Sequence, residues 1–365
     1  MSVILRALTG LFIGEKLPFN PASSRNLRVA TDAERRCRFP TGHGRISASG
    51  ELSGSYRRRM TMPSRARRIA IGLSVALLLA SWALTVDGFF VSPDILRWTD
   101  QERGQGVADA YGASLENVSI RASDETILKG WLFTPKNYHS RAVLLVHAGL
   151  GNRRDMLSRA EWLLEKGYAC LLVDQRGCGT SGGIATWGVK EPADIFAWAN
   201  WLRDRTHAGA VFGWGVSRGS TNLLQSLALK APFTALALEA TGSGNIAQPY
   251  QFISDKMGMS ERKARMMWWP LIEPTFWWIR VRHGFDMRQA PDGVAAIRGS
   301  QVAVLLIHGS EDRGAALAGV ERIRHANPQH TDLMVIRGAD HQWFSPDRPE
   351  VMSRVLMWFD VHAQS

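Results

Sequence analysis

Three side chains in this 365-residue sequence could together activate a hydroxyl group: Ser217, Asp312 and His341. A serine hydroxyl is a poor nucleophile at neutral pH. It needs an imidazole to take its proton, and the imidazole needs a carboxylate to fix its tautomer and stabilise its charged form. Ser217 stands in Gly215-Val216-Ser217-Arg218-Gly219, a G-x-S-x-G pattern between an apolar strand-like run, Ala210–Trp214, and a helix-like run, Ser217–Lys230. That placement gives the pattern its meaning. A sharp strand-to-helix turn exposes the hydroxyl, and the small residues Gly215 and Gly219 let the chain pass close by.

Asp312 and His341 follow in the chain order Ser, Asp, His, each just after a further strand-like run, Val302–His308 and Asp332–Arg337. Glu311 and Asp340 are neighbouring carboxylates that could replace Asp312 in this role. The oxyanion formed on attack would need N–H donors. One is the backbone of Arg218, at the helix N-terminus. The second would come from Gly149 or Leu150, in the Gly-rich turn His147-Ala148-Gly149-Leu150-Gly151 after the run Ala142–His147. His147 itself reads as structural, because the base comes later in the chain.

These loops need a frame. From about residue 117, short β-branched or Leu-rich runs alternate with longer amphipathic ones, the pattern of a mostly parallel sheet covered by helices. Strands are expected at Asn117–Arg121, Ile127–Phe133, Ala142–His147, Tyr168–Val173, Ala210–Trp214, Ala235–Glu239, Val302–His308 and Asp332–Arg337. Helices are expected at Arg154–Lys166, Glu191–Arg205, Ser217–Lys230, Ala315–Ala326 and Pro349–Ala363. The first two strands read as a hairpin and the rest as βα units. Functional groups of such sheets sit on loops at the carboxyl ends of the strands, where Ser217, Asp312, His341 and the Gly149 turn all fall. Residues 241–300 break the alternation with Met266-Met267-Trp268-Trp269-Pro270 and Phe276-Trp277-Trp278. They read as a helical cap insertion, either a lid or simple core packing.

With these residues, and with Asp124-Glu125-Thr126-Ile127-Leu128-Lys129-Gly130-Trp131-Leu132 and Asp174-Gln175-Arg176-Gly177-Cys178-Gly179-Thr180-Ser181-Gly182, the chain resembles the α/β-hydrolase superfamily. It resembles in particular members related to serine aminopeptidases and to membrane-anchored serine hydrolases, over about residues 117–362. The resemblance implies an α/β-hydrolase fold of about eight strands. It also implies hydrolysis of an ester, thioester or amide through an acyl-serine, without metal or organic cofactor. The sequence departs from that pattern at Ala148, where a glycine is usual, at Arg313-Gly314-Ala315, where valine and proline are usual, and at Cys178. An acyltransferase, or a catalytically silent domain that binds a ligand, would carry the same residues. A dehalogenase would want a carboxylate where Ser217 stands. Gly177-Cys178-Gly179-Thr180-Ser181-Gly182 also fits G-x-G-x-x-G, but it follows the second parallel strand and no helix starts promptly after it, so a structural turn is expected there.

The net charge is +11, and +10 of it falls in the first 68 residues, where 14 Lys/Arg face 4 Asp/Glu. A nearly neutral body argues against nucleic-acid binding, which needs its cations on the folded surface. Arg65, Arg67 and Arg68 instead run into the uncharged stretch Ile69–Val86. As a helix these 18 residues cover roughly 27 Å, close to the hydrocarbon thickness of a bilayer. Arginines on its N-terminal side keep that end in the cytoplasm and send the rest across. The expected organisation is a basic disordered tail over 1–64, with translation alternatively starting at Met60 or Met62, then a transmembrane anchor or signal segment over 65–90, a linker over 91–116 and the hydrolase domain over 117–365. A secreted form after signal cleavage is the alternative to the anchor. The anchor and the tryptophans of the cap point to a small-molecule or lipid-like acyl substrate. Three cysteines, Cys37, Cys170 and Cys178, are too few for a disulfide framework.

Overall fold

Residues Arg141–Val146 form strand β3 and bury all but the first side chain. A strand buried on both faces reads as an unbroken apolar run, and this occurs when helices cover both sides of a parallel sheet. In the computed structural model, which describes residues 64–88, 101–149, 151–242, 248–341 and 348–363, that is the arrangement. The hairpin β1 (Ala113–Arg121) and β2 (Ile127–Pro135) leads into β3, β4 (Ala169–Val173), β5 (Ala210–Val216), β6 (Ala235–Glu239), β7 (Ala303–Gly309) and β8 (Thr331–Ile336). The sheet order is β1-β2-β4-β3-β5-β6-β7-β8. β2 runs antiparallel to both of its neighbours, and all later pairs are parallel.

Alternate residues of each strand feed two cores. Val143 and Leu145 join Phe212 and Trp214 on one face, under α3 (Leu157–Glu165) and α10 (Pro349–His362). Phe359 of α10 stacks on Phe212 at 4.6 Å between ring centroids, and Trp214 meets it edge-on. Leu144 and Val146 join the opposite face, under α4 (Glu191–Thr206), α5 (Arg218–Ser226) and α9 (Leu317–Ala326). Each fully buried side chain of this kind contributes about 1.5–3 kcal/mol.

From β3 the chain goes to one side for β4 and then returns to the other side for β5. The point where strand order reverses leaves a crevice at the carboxyl ends of the flanking strands. Val146 at the end of β3 is paired with Gly215 near the end of β5, so the His147 turn and Ser217 share that crevice edge. Between β6 and β7 the cap holds α6 (Pro249–Met257), α7 (Glu261–His283) and α8 (Gly293–Ile297). Ser260 caps α7 through its side chain, and Gly284 ends it in the left-handed conformation. The ion pair Asp255–Arg322 ties α6 to α9.

The linker expected over 91–116 differs from the structure. From Gln101 it holds helix α2 (Gln101–Ala110), and β1 begins at Ala113. Gln101 accepts a hydrogen bond from the Trp131 indole at 3.0 Å, which fixes α2 to the sheet. Residues 1–63 of the basic tail and 91–100 of the linker lie outside the described residues.

The chain divides into two compact units, with the boundary inside helix α1 (Ser64–Gly88) between Leu79 and Ala80. The described part of the first unit is the N-terminal part of α1, and the second carries the sheet. Among the described residues α1 is the helix long and apolar enough to cross a membrane: its window Arg67–Thr85 has a mean hydropathy of 1.7 and is not buried.

Candidate active site

Ser217 joins β5 to α5 with φ 51° and ψ −114°, a left-handed φ that a non-glycine residue holds only where its surroundings impose it. The surroundings do. A Cβ at Gly219 would stand 2.3 Å from the carbonyl oxygen of Val146, and one at Gly215 would stand 2.6 Å from the backbone nitrogen of Ser220. The Ser217 N–H and the Ser220 hydroxyl both donate to the carbonyl of Glu239, at 2.8 Å each. Beneath them the buried Glu239 carboxylate accepts a bidentate pair from Arg159 at 2.8 and 2.7 Å and the Trp214 indole N–H at 2.6 Å.

Ser217 Oγ lies 3.0 Å from His341 Nε2, and His341 Nδ1 lies 2.8 Å from Asp312 Oδ2. Ser217 is half-buried, the His341 side chain is 34% exposed, and Asp312 is buried. Asp312 Oδ1 accepts from the N–H groups of Gly314 and Ala315 at 2.7 and 2.8 Å. Burial would raise the Asp312 pKa, but the His341 hydrogen bond and charge and the Ala315 N–H hold it below the ordinary carboxylate value. Glu311 and Asp340, left open as alternatives by the sequence, are both exposed. His308 packs behind Asp312 and donates from Nε2 to the carbonyl of Ala315 at 2.8 Å, which holds the 308–315 loop closed.

His147 is fully buried. Its Nε2 accepts from the Gln175 N–H at 3.1 Å, so Nδ1 carries the proton and donates to the carbonyl of Ala148 at 2.6 Å. Burial lowers its pKa to about 3. A neutral imidazole thus staples the Gly149 turn to the end of β4. Gln175 adds a bond from Nε2 to the His147 carbonyl at 2.7 Å and accepts one from Asn222 on α5.

Of the expected oxyanion donors, Arg218 is the first residue of α5, where a backbone N–H has no acceptor within the helix. Gly149 sits beside it: a Cβ there would be 3.6 Å from Arg218 Cβ. Leu150 lies outside the described residues.

One element was not foreseen from the sequence. The Arg218 side chain, itself buried, donates to the carbonyl of Gly149 and to the Glu191 carboxylate, both at 3.3 Å, and lies over the Trp187 ring at 5.0 Å. Glu191 is buried. It accepts the N–H groups of Thr186 and Gly188 and the Thr186 hydroxyl at 2.6–2.8 Å, with the Trp187 N–H at 3.2 Å. Burial opposes its charge, yet Arg218 and these donors keep its pKa below the ordinary value. In sequence Glu191 looks like any acidic residue in a first helical turn, followed by Pro192. Only the fold brings the 186–188 loop around it.

The Gly177–Gly182 stretch forms a turn around Asp174. Thr180 donates its N–H to Asp174 Oδ2 and Arg153 donates its N–H to Oδ1, each at 2.8 Å. Arg176 makes a bidentate pair with Asp194 and a further bond to Asp124. Cys170 and Cys178 are buried free thiols. Among the described residues no group of three His, Cys, Asp or Glu side chains is arranged to hold a metal ion.

Residues 110–268 match the X-Pro dipeptidyl-peptidase (S15 family). Among curated proteins no sequence matches the chain. Among solved structures the chain is similar to the Pyrococcus furiosus esterase Pf2001, at 23% identity and a TM-score of 0.52, covering 72% of this chain and 95% of that one. The α/β hydrolase GrgF from Penicillium sp. sh18 is 17% identical with a TM-score of 0.50, over 69% of this chain and all of that one. A bacterial membrane phospholipase A is 15% identical with a TM-score of 0.50, over 82% of this chain and all of that one. The chain has the fold of the α/β hydrolases.

Proposed function

We propose that this chain is an α/β hydrolase that cleaves an acyl ester through an acyl-serine intermediate, with Ser217 as nucleophile, His341 as general base and Asp312 as the acid that orients it. The observation that carries this reading is the row of contacts from Ser217 Oγ to His341 Nε2 at 3.0 Å and from His341 Nδ1 to Asp312 at 2.8 Å. His341 Nε2 takes the hydroxyl proton as Oγ bonds to the carbonyl carbon, and the oxygen that becomes negative is met by the N–H groups of Arg218 and Gly149. The C–O bond to the leaving group then breaks, and the proton passes from Nε2 to the departing alcohol. Water, deprotonated by the same nitrogen, releases the acid and restores Ser217.

Helix α1 anchors the chain in the membrane as a single span, and the catalytic body, beginning at Gln101, stands on the extracytoplasmic side. A lipid-like acyl chain suits a membrane-tethered enzyme with an aromatic cap, and the similarity to a membrane phospholipase A points the same way. Thioester and amide cleavage share the first chemical step, as does transfer of the acyl group to an alcohol.

The test is hydrolysis of 4-nitrophenyl esters of rising acyl length by the full-length protein in detergent micelles. Turnover that rises with chain length and vanishes in Ser217→Ala supports the reading. A preference for acetyl esters contradicts the lipid-like substrate, and turnover that survives in Ser217→Ala contradicts the nucleophile.

A further inference from the structure

Helix α7 has two apolar faces, and the body of the protein uses one. Ala264, Ile272, Phe276 and Ile279 point inward, the last three into a cluster with Tyr250, Phe285 and Met287. On the opposite side Met266, Met267, Pro270, Pro274, Trp277 and Val281 recur at helical spacing, a stripe of about 22 Å. The stripe is open to solvent: Met266 is 70% exposed, Trp277 62%, Val281 62% and Met267 53%. A helix that is apolar all round is buried in protein or in lipid, and a patch of this length on a protein surface marks a contact.

The ends of the helix are basic. Arg262 and Lys263 precede the stripe, Arg280 and Arg282 flank its last residue, Val281, and all four are exposed. Helix α7 holds five Lys/Arg against two Glu, and one of those, Glu273, is paired with Arg288. Cations flanking an apolar stripe that holds two Met and a Trp match the chemistry of anionic headgroups above acyl chains.

A second observation selects the occupant. Trp82, near the end of the apolar window of α1, donates its indole N–H to Thr275 Oγ1 at 3.3 Å and lies against Trp278, with 6.0 Å between ring centroids. The end of the membrane-compatible helix therefore touches α7 at the border of its open stripe. We infer that α7 lies in the interfacial layer of the membrane that α1 enters, with Met266, Trp277 and Val281 in lipid. This rests on the reading of α1 as a membrane anchor and is independent of the hydrolytic reaction. It gives the cap a bilayer-contact role beside the crevice.

The test places a nitroxide at Trp277→Cys or Val281→Cys in the full-length protein carrying Cys37→Ser; Cys170 and Cys178 are buried. The protein is reconstituted in phosphatidylcholine–phosphatidylglycerol vesicles, with Leu78→Cys in α1 and the exposed Glu321→Cys on α9 as references. The expected result is an oxygen-to-nickel-chelate accessibility ratio at 277 and 281 several-fold above that at 321 and on the lipid side with that at 78. Ratios at 277 and 281 equal to that at 321, with 78 in lipid, overturn the proposal while leaving the anchor intact. A water-like ratio at 78 overturns the anchor and the proposal together. Spin–spin broadening at 281 shows that a second copy covers the stripe, which also overturns it. None of these readouts depends on activity, so failure of the hydrolase reading registers separately.

Discussion

Gly314 lies against the imidazole of His341: a Cβ built on it would stand 2.7 Å from His341 Cγ and 2.9 Å from Nδ1. The same residue donates its N–H to Asp312 Oδ1 at 2.7 Å, so the 312–315 loop both holds the carboxylate and sets where the His341 ring can sit. The unusual Arg313-Gly314-Ala315 segment thereby has a structural reason. Gly314→Ala must push the ring off its line to Ser217. A displacement of this kind costs about 100-fold in kcat, with little change in melting temperature because the ring is partly exposed. Ester turnover and thermal melts of the variant check this together, and unchanged turnover would contradict it.

The buried Glu191–Arg218 pair gives a prediction about stability. Glu191→Ala leaves Arg218 with its charge unmatched in a buried position and orphans the N–H groups of Thr186 and Gly188. Breaking a buried pair in this way costs about 3–5 kcal/mol, to be read from urea denaturation. Arg218 also holds the carbonyl of Gly149, so the turn beside Ser217 loosens and kcat falls with the stability. A loss under 1 kcal/mol in urea would show that the pair does not carry this loop.

A pH prediction follows from His147. Its folded pKa is about 3, below the ordinary value of about 6.5. Between these values the unfolded chain binds a proton that the folded one excludes, so stability falls as pH drops from 6.5 toward 3. The slope contributed is about 1.4 kcal/mol per pH unit over that window. His308, also lowered by burial, adds in the same direction. Glu191 and Asp312, lowered instead, lose their contribution only as pH falls below the ordinary carboxylate range. Denaturation of His147→Asn at pH 7 and pH 5 should show a smaller acid loss than the wild type; an equal loss would place the linkage elsewhere.

The sheet was legible because its parallel strands are continuous apolar runs: all eight expected strands occur, with ends moved by a few residues, as for β1, which starts at Ala113 instead of Asn117. Ser217 was expected to open a helix. It instead sits before α5 in a conformation that no propensity encodes, because Gly219 must pass against Val146. Helix α2 was missed because Gln101–Ala110 is polar, carries two glycines and shows no apolar stripe. The Ser217, Asp312 and His341 side chains were legible from chain order and strand ends. The Arg218–Glu191 pair was not, since its partners are 27 residues apart and meet only when α4 and α5 pack. The cap was visible as tryptophan-rich, but which of its tryptophans face outward depended on the helix phase.

The most direct test of the account is covalent labelling of the full-length protein with a fluorophosphonate, with the adduct located by mass spectrometry in wild type, Ser217→Ala and Asp312→Asn. Because an acid that only orients the base lowers reactivity without removing the nucleophile, Asp312→Asn should label more slowly by about 10⁴-fold at most. The expected result is one adduct on Ser217, absent in Ser217→Ala. A folded wild type that does not react, or an adduct on another serine, would contradict it.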